Sequence, residues 1–335
     1  MNILVTGGAG YIGSHTVRTL VGKKHHVVVL DNLSKGHEAA VRGVQLVRGD
    51  IAERLLLKSL FREHNIEAVM HFAANSLVGE SVLQPAGYYY NNLVKGLSLL
   101  DSMVKSGVRY LVFSSTAAVY GEPRENPIPE EHPAVPTNPY GATKLALEGA
   151  MRWYSEAYDL RYVALRYFNA AGADPAGDIG EDHAPETHLI PLVLQVAMGR
   201  LPCLEVFGAD YPTPDGTCIR DYIHVDDLAD AHVLAMEALA SGAPSAVYNL
   251  GNGSGYSVLA VIRAAEEETG KRIPVQYGAR RPGDPAMLVA GSKKIKAELG
   301  WQPRFTDLRA IIETAWRWHR NHPQGFKEKS GDISQ

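Results

Sequence analysis

The sequence predicts a doubly wound, parallel α/β fold, and three observations carry that reading. Short β-branched runs alternate with longer helical stretches through the first 170 residues. The runs are apolar almost throughout instead of alternating, which is how strands buried on both faces read. A glycine-rich turn, Gly7-Gly8-Ala9-Gly10-Tyr11-Ile12-Gly13, follows the first run directly and opens a helical stretch.

The strand runs fall at 2–6, 26–31, 44–47, 68–73, 109–114 and 161–167, with helices between them over spans such as 51–63 and 140–158. Strand–helix alternation of this kind implies right-handed crossovers and a parallel sheet. After Asn169 the texture changes. Residues 170–186 and 208–217 are rich in Gly, Pro and Asp and read as long loops. Helices are expected at 187–200, 226–241, 257–269 and 307–320, with a short strand at 246–251. The division is therefore a dinucleotide-binding domain over 1–170, with later strands contributed from the C-terminal half. A smaller mixed α/β substrate lobe follows over 171–325, then a polar tail over 326–335, frayed from Gln324 onward. Long loops at the carboxyl ends of such a sheet lie where ligands bind.

Composition narrows the function classes. The 335 residues are 45% hydrophobic and 21% charged, enough for a core and unlike a disordered chain. A net charge of -4, with no long basic run, argues against nucleic acid as the main partner. No apolar stretch spans a membrane and no signal peptide precedes the first strand, so a soluble cytoplasmic protein is expected. Cys203 and Cys218 alone make neither a disulfide framework nor a cysteine zinc site, and both are expected as buried thiols. The 13 histidines show no HExxH or paired metal spacing, so no metal is expected.

Glycines 8, 10 and 13 match the dinucleotide fingerprint, and 7, 10 and 13 match its wider-spaced variant. Either way, backbone without side chains lets a pyrophosphate approach, and the helix N-terminus offers it free N–H groups and positive dipole. A tight turn with no ligand is the alternative; the strand before and helix after favour the dinucleotide. Asp31, 18 residues after Gly13, closes the second strand near the spacing expected of an acid on the ribose hydroxyls. A 2′-phosphate there would face a like charge at a cost of about 4 kcal/mol, roughly a thousandfold, so NAD is predicted over NADP.

Tyr140 and Lys144 form Tyr-x-x-x-Lys and would share one face of a helix that Asn138 caps and Pro139 opens. A tyrosine base needs its pKa lowered by roughly three units from ~10, and cationic Lys144, the nicotinamide ring and the helix dipole would all push that way. Ser114-Ser115-Thr116 ends the fifth strand, where a hydroxyl points into the ligand crevice. Alone, the pair reads as a helix-surface feature and the hydroxyls as strand-end caps. Their order after the glycine turn makes the combination specific.

With LVTGGAGYIGSHT at 4–16, FSSTAAVYG at 113–121, PYGATK at 139–144, LRYFNAAGA at 165–173, RDYIHVDDLADAH at 220–232 and RRPGD at 280–284, the chain resembles the extended short-chain dehydrogenase/reductase superfamily. Within it the likeness is to the UDP-hexose 4-epimerases, from Met1 to about Gly325. The resemblance implies that C4 hydride passes from a UDP-sugar to tightly held NAD and returns to the opposite face, interconverting UDP-glucose and UDP-galactose. It makes Tyr140 the base, Lys144 its tuning partner and Thr116 the holder of the C4 oxygen. Gly7, Gly10, Tyr11, Ile12, Gly13, Asp31, Asn32, Asp50, Ile51, Phe72, Ala73, Ala74, Asn91, Ser114 and Tyr167 become cofactor contacts, with Asp50 and Ile51 at the adenine. Asn169, Leu189, Phe207, Arg220, Arg281, Asp284 and Leu288 become substrate contacts, with Asn169 and Arg220 on the diphosphate and Phe207 by the uracil. Bidentate arginine suits an anionic diphosphate. A homodimer through helices at about 82–106 and 140–158 is also implied.

The chain departs from the family at three positions. Ser76 stands where many relatives carry a phosphate-contacting Lys, and Thr116 replaces a serine while keeping the hydroxyl. Leu288 occupies a gatekeeper position that varies from large to small, which leaves room for N-acetylated sugars. A 4,6-dehydratase or decarboxylase is the rival enzyme, but dehydratase relatives place acids where Ala117 and Ala118 stand, and alanine cannot transfer protons. A non-catalytic NAD sensor is the rival of another class, and it would have no need of Tyr140 with Lys144.

Overall fold

The computed structural model describes residues 1–281 and 284–327. Two parts of the sequence reading, residues 282–283 within the RRPGD segment and the tail from 328, lie outside the described residues. The strands are β1 (Asn2–Thr6), β2 (His26–Asp31), β3 (Gln45–Arg48), β4 (Ala68–His71), β5 (Tyr110–Ser114), β6 (Arg161–Tyr167), β7 (Asn169–Ala171), β8 (Leu204–Phe207), β9 (Ile219–His224), β10 (Ala246–Leu250), β11 (Gly255–Ser257), β12 (Val275–Gly278) and β13 (Met287–Leu288). The helices are α1 (Tyr11–Gly22), α2 (Arg54–Glu63), α3 (Val78–Leu83), α4 (Pro85–Tyr88), α5 (Lys95–Lys105), α6 (Pro139–Tyr158), α7 (Leu189–Ala197), α8 (Val225–Ala240), α9 (Val258–Thr269), α10 (Lys293–Leu299) and α11 (Leu308–Asn321).

Seven parallel strands form the main sheet in the order β10-β6-β5-β4-β1-β2-β3. The near-continuous apolar runs are explained by cover on both faces. Ile3, Val5, Val27, Val29 and Val112 face one core, closed by Val17 and Leu20 of α1 and Leu228 and Met236 of α8. Leu4, Val28, Leu30, Leu111 and Phe113 face the other, closed by Leu57 and Leu60 of α2, Leu99 and Met103 of α5, and Leu147 and Met151 of α6. Chain order reverses between β1 and β4, and it is there that folds of this kind open a ligand crevice at the carboxyl ends of the strands.

The second half builds two smaller sheets, β9 paired with β7, β11 and β13, and β12 with β8. It also returns α8 and β10 to the main sheet. β7 and β9 correct the sequence reading: β7 runs from Asn169 into the span 170–186 read as loop, and β9 was not anticipated. β7 has only three residues, and β9 carries Arg220 and Asp221 within its six, so neither shows an apolar run. α2 begins at Arg54, later than 51, because Asp50 and Ala52 form a side-chain-capped turn ahead of it. The chain from Gln324 is not frayed throughout: Phe326 stacks on His37 with ring centroids 5.0 Å apart and lies 4.8 Å from Trp318.

Candidate active site

The glycine turn joins β1 to α1 with φ +72° at Gly7, and a Cβ there would sit 2.5 Å from the backbone nitrogen of Ala73. A Cβ on Gly13 would run into the Gly7 carbonyl. The β1 and β4 ends therefore meet backbone to backbone, and the spacing that does this is 7, 10 and 13. Gly10 caps α1 without a side-chain bond, which leaves the helix N-terminus to a ligand. The cradle fits a dinucleotide pyrophosphate. Thr6 and His71, at the ends of β1 and β4, pair Oγ1 to Nδ1 at 2.8 Å. Burial holds His71 down to about 3, so this floor is uncharged.

The buried carboxylate of Asp31 accepts the Ala9 N–H (3.0 Å) on Oδ2 and the Leu33 N–H (2.8 Å) on Oδ1. It thus fixes the first and second strand ends together, at the position expected for a ribose contact. Asn32 Nδ2 donates to Asp50 Oδ2 (3.2 Å), and Lys95 Nζ reaches the same oxygen at 2.6 Å. Those bonds hold the Asp50 carboxyl below its ordinary value, against the upward push of burial. Ile51 is buried in the core beneath, so a ligand meets its backbone. Tyr11 donates to the Gly172 carbonyl at 2.6 Å, and the neighbouring Ile12 packs against the core under α1. Phe72, Ala73 and Ala74 follow β4 as a half-buried loop, and Asn91 lies on a π-helical turn, Tyr89–Val94.

Asn138 caps α6 as expected, accepting the Gly141 N–H at 2.9 Å, and Pro139 opens the helix. Gly141 lies so close to the Ala118 carbonyl that a Cβ would not fit. That approach sets Tyr140 near Thr116, whose hydroxyl acts to lower the pKa of the phenol. Burial acts more strongly and raises it, so Tyr140 lies above its ordinary value. The protein groups alone therefore do not make the phenol acidic; the expectation also counted the charge of the nicotinamide ring. Lys144 Nζ donates to the Ser114 carbonyl (2.7 Å) and sits 5.9 Å from the Tyr140 ring centroid. Burial, opposed by Glu148, also brings Lys144 itself down to about 7. Ser114 Oγ and Tyr167 share a short hydrogen bond, and burial pushes the Tyr167 phenol up.

On the substrate side, β9 holds Arg220 beside Leu288 of β13, and β7 holds Asn169 beside Tyr222. Arg220 pairs with Asp284, and Asn169 Nδ2 donates to the Asp221 carbonyl at 3.1 Å. Arg281 stacks over Phe207, its guanidinium carbon 3.9 Å from the ring centroid. Leu189 opens α7, and Leu288 packs on the cluster of Val119, Tyr120 and Ile128 that follows Thr116.

Several positioning residues escaped the sequence reading. Glu148 takes Arg166 Nε at 3.1 Å and the Ser115 hydroxyl, Arg166 Nη1 reaches Tyr120 (3.0 Å), and Tyr120 donates to Asn249 Oδ1 (2.7 Å). This buried chain ties the ends of β5, β6 and β10 beneath Thr116. Asn92 accepts the Asn75 N–H and donates to the Asn75 carbonyl, both at 2.9 Å, fixing the loop after β4. Asp221 accepts N–H groups of Asn252, Gly253 and Ala290, yet burial raises it to about 6. Two expectations change as well. Cys203 is half-buried, while Cys218 is buried. His183 and His188 do not stand apart from other ligand-type groups: with Glu181 and Glu186 they bring one donor atom each within 4.8 Å of one another.

The sheet and the Tyr140–Lys144 helix together define a nicotinamide-dependent enzyme of the short-chain dehydrogenase/reductase class. Residues 3–251 match the model of the NAD dependent epimerase/dehydratase family, and the chain belongs to that family. It is 55% identical to UDP-glucose 4-epimerase of Halalkalibacterium halodurans over 99% of both chains. Its fold is similar to a crystal structure of a UDP-glucose 4-epimerase, with a TM-score of 0.96, 53% identity, and cover of 98% of this chain and 100% of that one. It is similar also to UDP-glucose 4-epimerase from Brucella ovis in complex with NAD, with a TM-score of 0.92, 50% identity, and cover of 94% and 97%. These relatives bear out the expected fold, the NAD dependence and the epimerase class. No helix among the described residues is long and apolar enough to cross a membrane.

Proposed function

We propose that the chain interconverts UDP-glucose and UDP-galactose by oxidation and re-reduction at the hexose C4. The observation that carries the reading is the buried Tyr140, with Thr116 acting on its phenol, four residues ahead of the buried Lys144, in a fold whose uncapped glycine turn opens α1 at the sheet's switch point. Bound NAD supplies the hydride acceptor and donor, and its cationic ring adds the positive charge that the protein alone does not direct at Tyr140.

The chain's own groups do the rest. Tyr140 Oη takes the proton of the 4-hydroxyl as that carbon is oxidised and returns it on reduction. Thr116 holds the C4 oxygen in both states. Lys144 fixes the end of β5 through the Ser114 carbonyl and would hold the nicotinamide ribose. Ala117 and Ala118 offer no proton donor, so the 4-keto sugar is kept from losing water. Asn169 and Arg220 bind the diphosphate, which enters where Arg220 now pairs with Asp284. Phe207 and Arg281 form a face for the uracil, with Asp284 and Leu189 on the nucleoside side. Leu288, on the wall behind Thr116, admits a 2-acetamido group; replacement by tyrosine should abolish turnover of UDP-N-acetylgalactosamine and spare UDP-galactose.

The working form is a cytoplasmic homodimer. Val82, Leu83, Tyr90, Trp153 and Tyr158 lie exposed along α3 to α6, with Leu83 at 83% and Trp153 at 61%, which supports that face as the contact. The test of function is incubation of purified protein with UDP-galactose and no added cofactor. UDP-glucose should form to an equilibrium mixture. A stable 4-keto-6-deoxy product would point to a dehydratase, and no product to an NAD sensor.

A further inference from the structure

Between β7 and α7 the chain runs through Glu181-Asp182-His183-Ala184-Pro185-Glu186-Thr187-His188. Four side chains converge there. Glu181 Oε1 lies 2.6 Å from His188 Nδ1 and 3.0 Å from His183 Nδ1. Glu186 Oε1 lies 3.2 Å from His188 Nδ1, and its Oε2 3.8 Å from His183 Nδ1. We propose that Glu181, His183, Glu186 and His188 form a binding site for one divalent transition-metal ion of the zinc type.

The geometry fits that ion. Tetrahedral zinc with Zn–N and Zn–O bonds of about 2.0–2.2 Å separates neighbouring ligand atoms by roughly 3.3 Å, in the middle of the observed nitrogen–oxygen distances. Two imidazoles and two carboxylates are a zinc donor set and not a calcium one, since calcium takes six or more oxygens. The charge fits as well. Glu181 and Glu186 keep only 4% and 7% of their side-chain surface exposed, and their ion pairs among the described residues are with His183 and His188 alone. A dication would neutralise the two buried carboxylates while the two imidazole nitrogens complete its donor set.

The donors are held from behind, as ligands of a built site are. Glu186 Oε1 accepts the N–H groups of Thr187 (2.7 Å) and His188 (2.8 Å), and Trp318 Nε1 donates to the Glu181 carbonyl at 3.0 Å. A cavity of about 100 Å³ is lined by Glu181, His183 and Glu186 and reaches Arg200 and His319, and His188 is the most exposed of the four donors. The His183 ring meets Tyr11 edge-on, centroids 6.1 Å apart, and His188 caps α7 just before Leu189. A bound ion would clamp the loop to the first turn of α1 and the start of α7, so its role is structural: it positions the walls of the site without touching reacting atoms.

The test is tag-free protein stripped by chelator, dialysed, and titrated with Zn²⁺ or Co²⁺. The expected result is one zinc per chain by elemental analysis, visible Co²⁺ bands of four-coordinate intensity, and a melting temperature raised by stoichiometric zinc. Glu186→Gln and the His183→Asn/His188→Asn pair should lose the stoichiometric zinc, the bands and the shift. No zinc above a chelated blank in the wild-type chain would overturn the proposal, since that measurement needs no variant to fold. Equal zinc in the folded double variant would overturn it too.

Discussion

Lys144 Nζ donates to the backbone carbonyl of Ser114 across 2.7 Å, so the ammonium braces the end of β5 and does not bond the phenol four residues before it. Its desolvation has a measurable consequence. Lys144 falls from 10.5 to about 7 on burial, so the folded chain binds this proton more weakly than the unfolded chain. The group's contribution to stability is therefore present above pH ~10.5 and lost as pH falls through ~7. Lys144→Met should gain stability relative to wild type at pH 7, by on the order of a few kcal/mol, and that gain should shrink by pH 10. Chemical denaturation of the dinucleotide-free proteins checks this; a difference independent of pH would contradict it.

Asp31 should set the choice of dinucleotide. Its carboxylate is anchored by the Ala9 and Leu33 N–H groups and cannot swing away from a 2′-phosphate. Reconstituted wild-type protein should prefer NAD over NADP by roughly a thousandfold, and Asp31→Asn should cut that ratio at least tenfold. Equal affinities in the wild type, by competition for reconstitution, would refute the role.

The Glu148–Arg166 pair should be costly to break from one side. Both side chains are nearly buried, so Glu148→Gln leaves Arg166 without its counter-charge and should destabilise the fold by about 3–5 kcal/mol. Replacing both with Leu and Met should recover part of the loss. Thermal melts of the two singles and the double test the coupling; simple additivity would show that the pair is not the link between Thr116 and the sheet.

What was legible in the sequence was the local chemistry. The glycine turn, the Asn138–Pro139 cap and Tyr-x-x-x-Lys each act within a few residues, and their order along the chain locates them at one sheet edge. Networks among distant residues were not legible: Tyr120 meets Asn249 across 129 positions, and nothing in either neighbourhood marks the pairing. The setting of Tyr140 was not legible for a related reason. The charge on Lys144 can be read from the sequence, whereas the burial of both side chains and the Ser114 carbonyl that accepts the ammonium's hydrogen bond are tertiary. Strands β7 and β9 carry the polar residues Asn169, Arg220 and Asp221, which erases the apolar pattern strands are found by. His183 and His188 sit in an irregular loop, where helical and strand spacings give no guide to which donors converge.

The central claim is that Tyr140 moves the proton of the sugar 4-hydroxyl, and its most direct test is turnover of UDP-galactose by Tyr140→Phe, with bound dinucleotide measured in the same sample. The account predicts a fall of about a hundredfold or more with dinucleotide occupancy unchanged. Wild-type turnover in a variant that still holds its dinucleotide would contradict it.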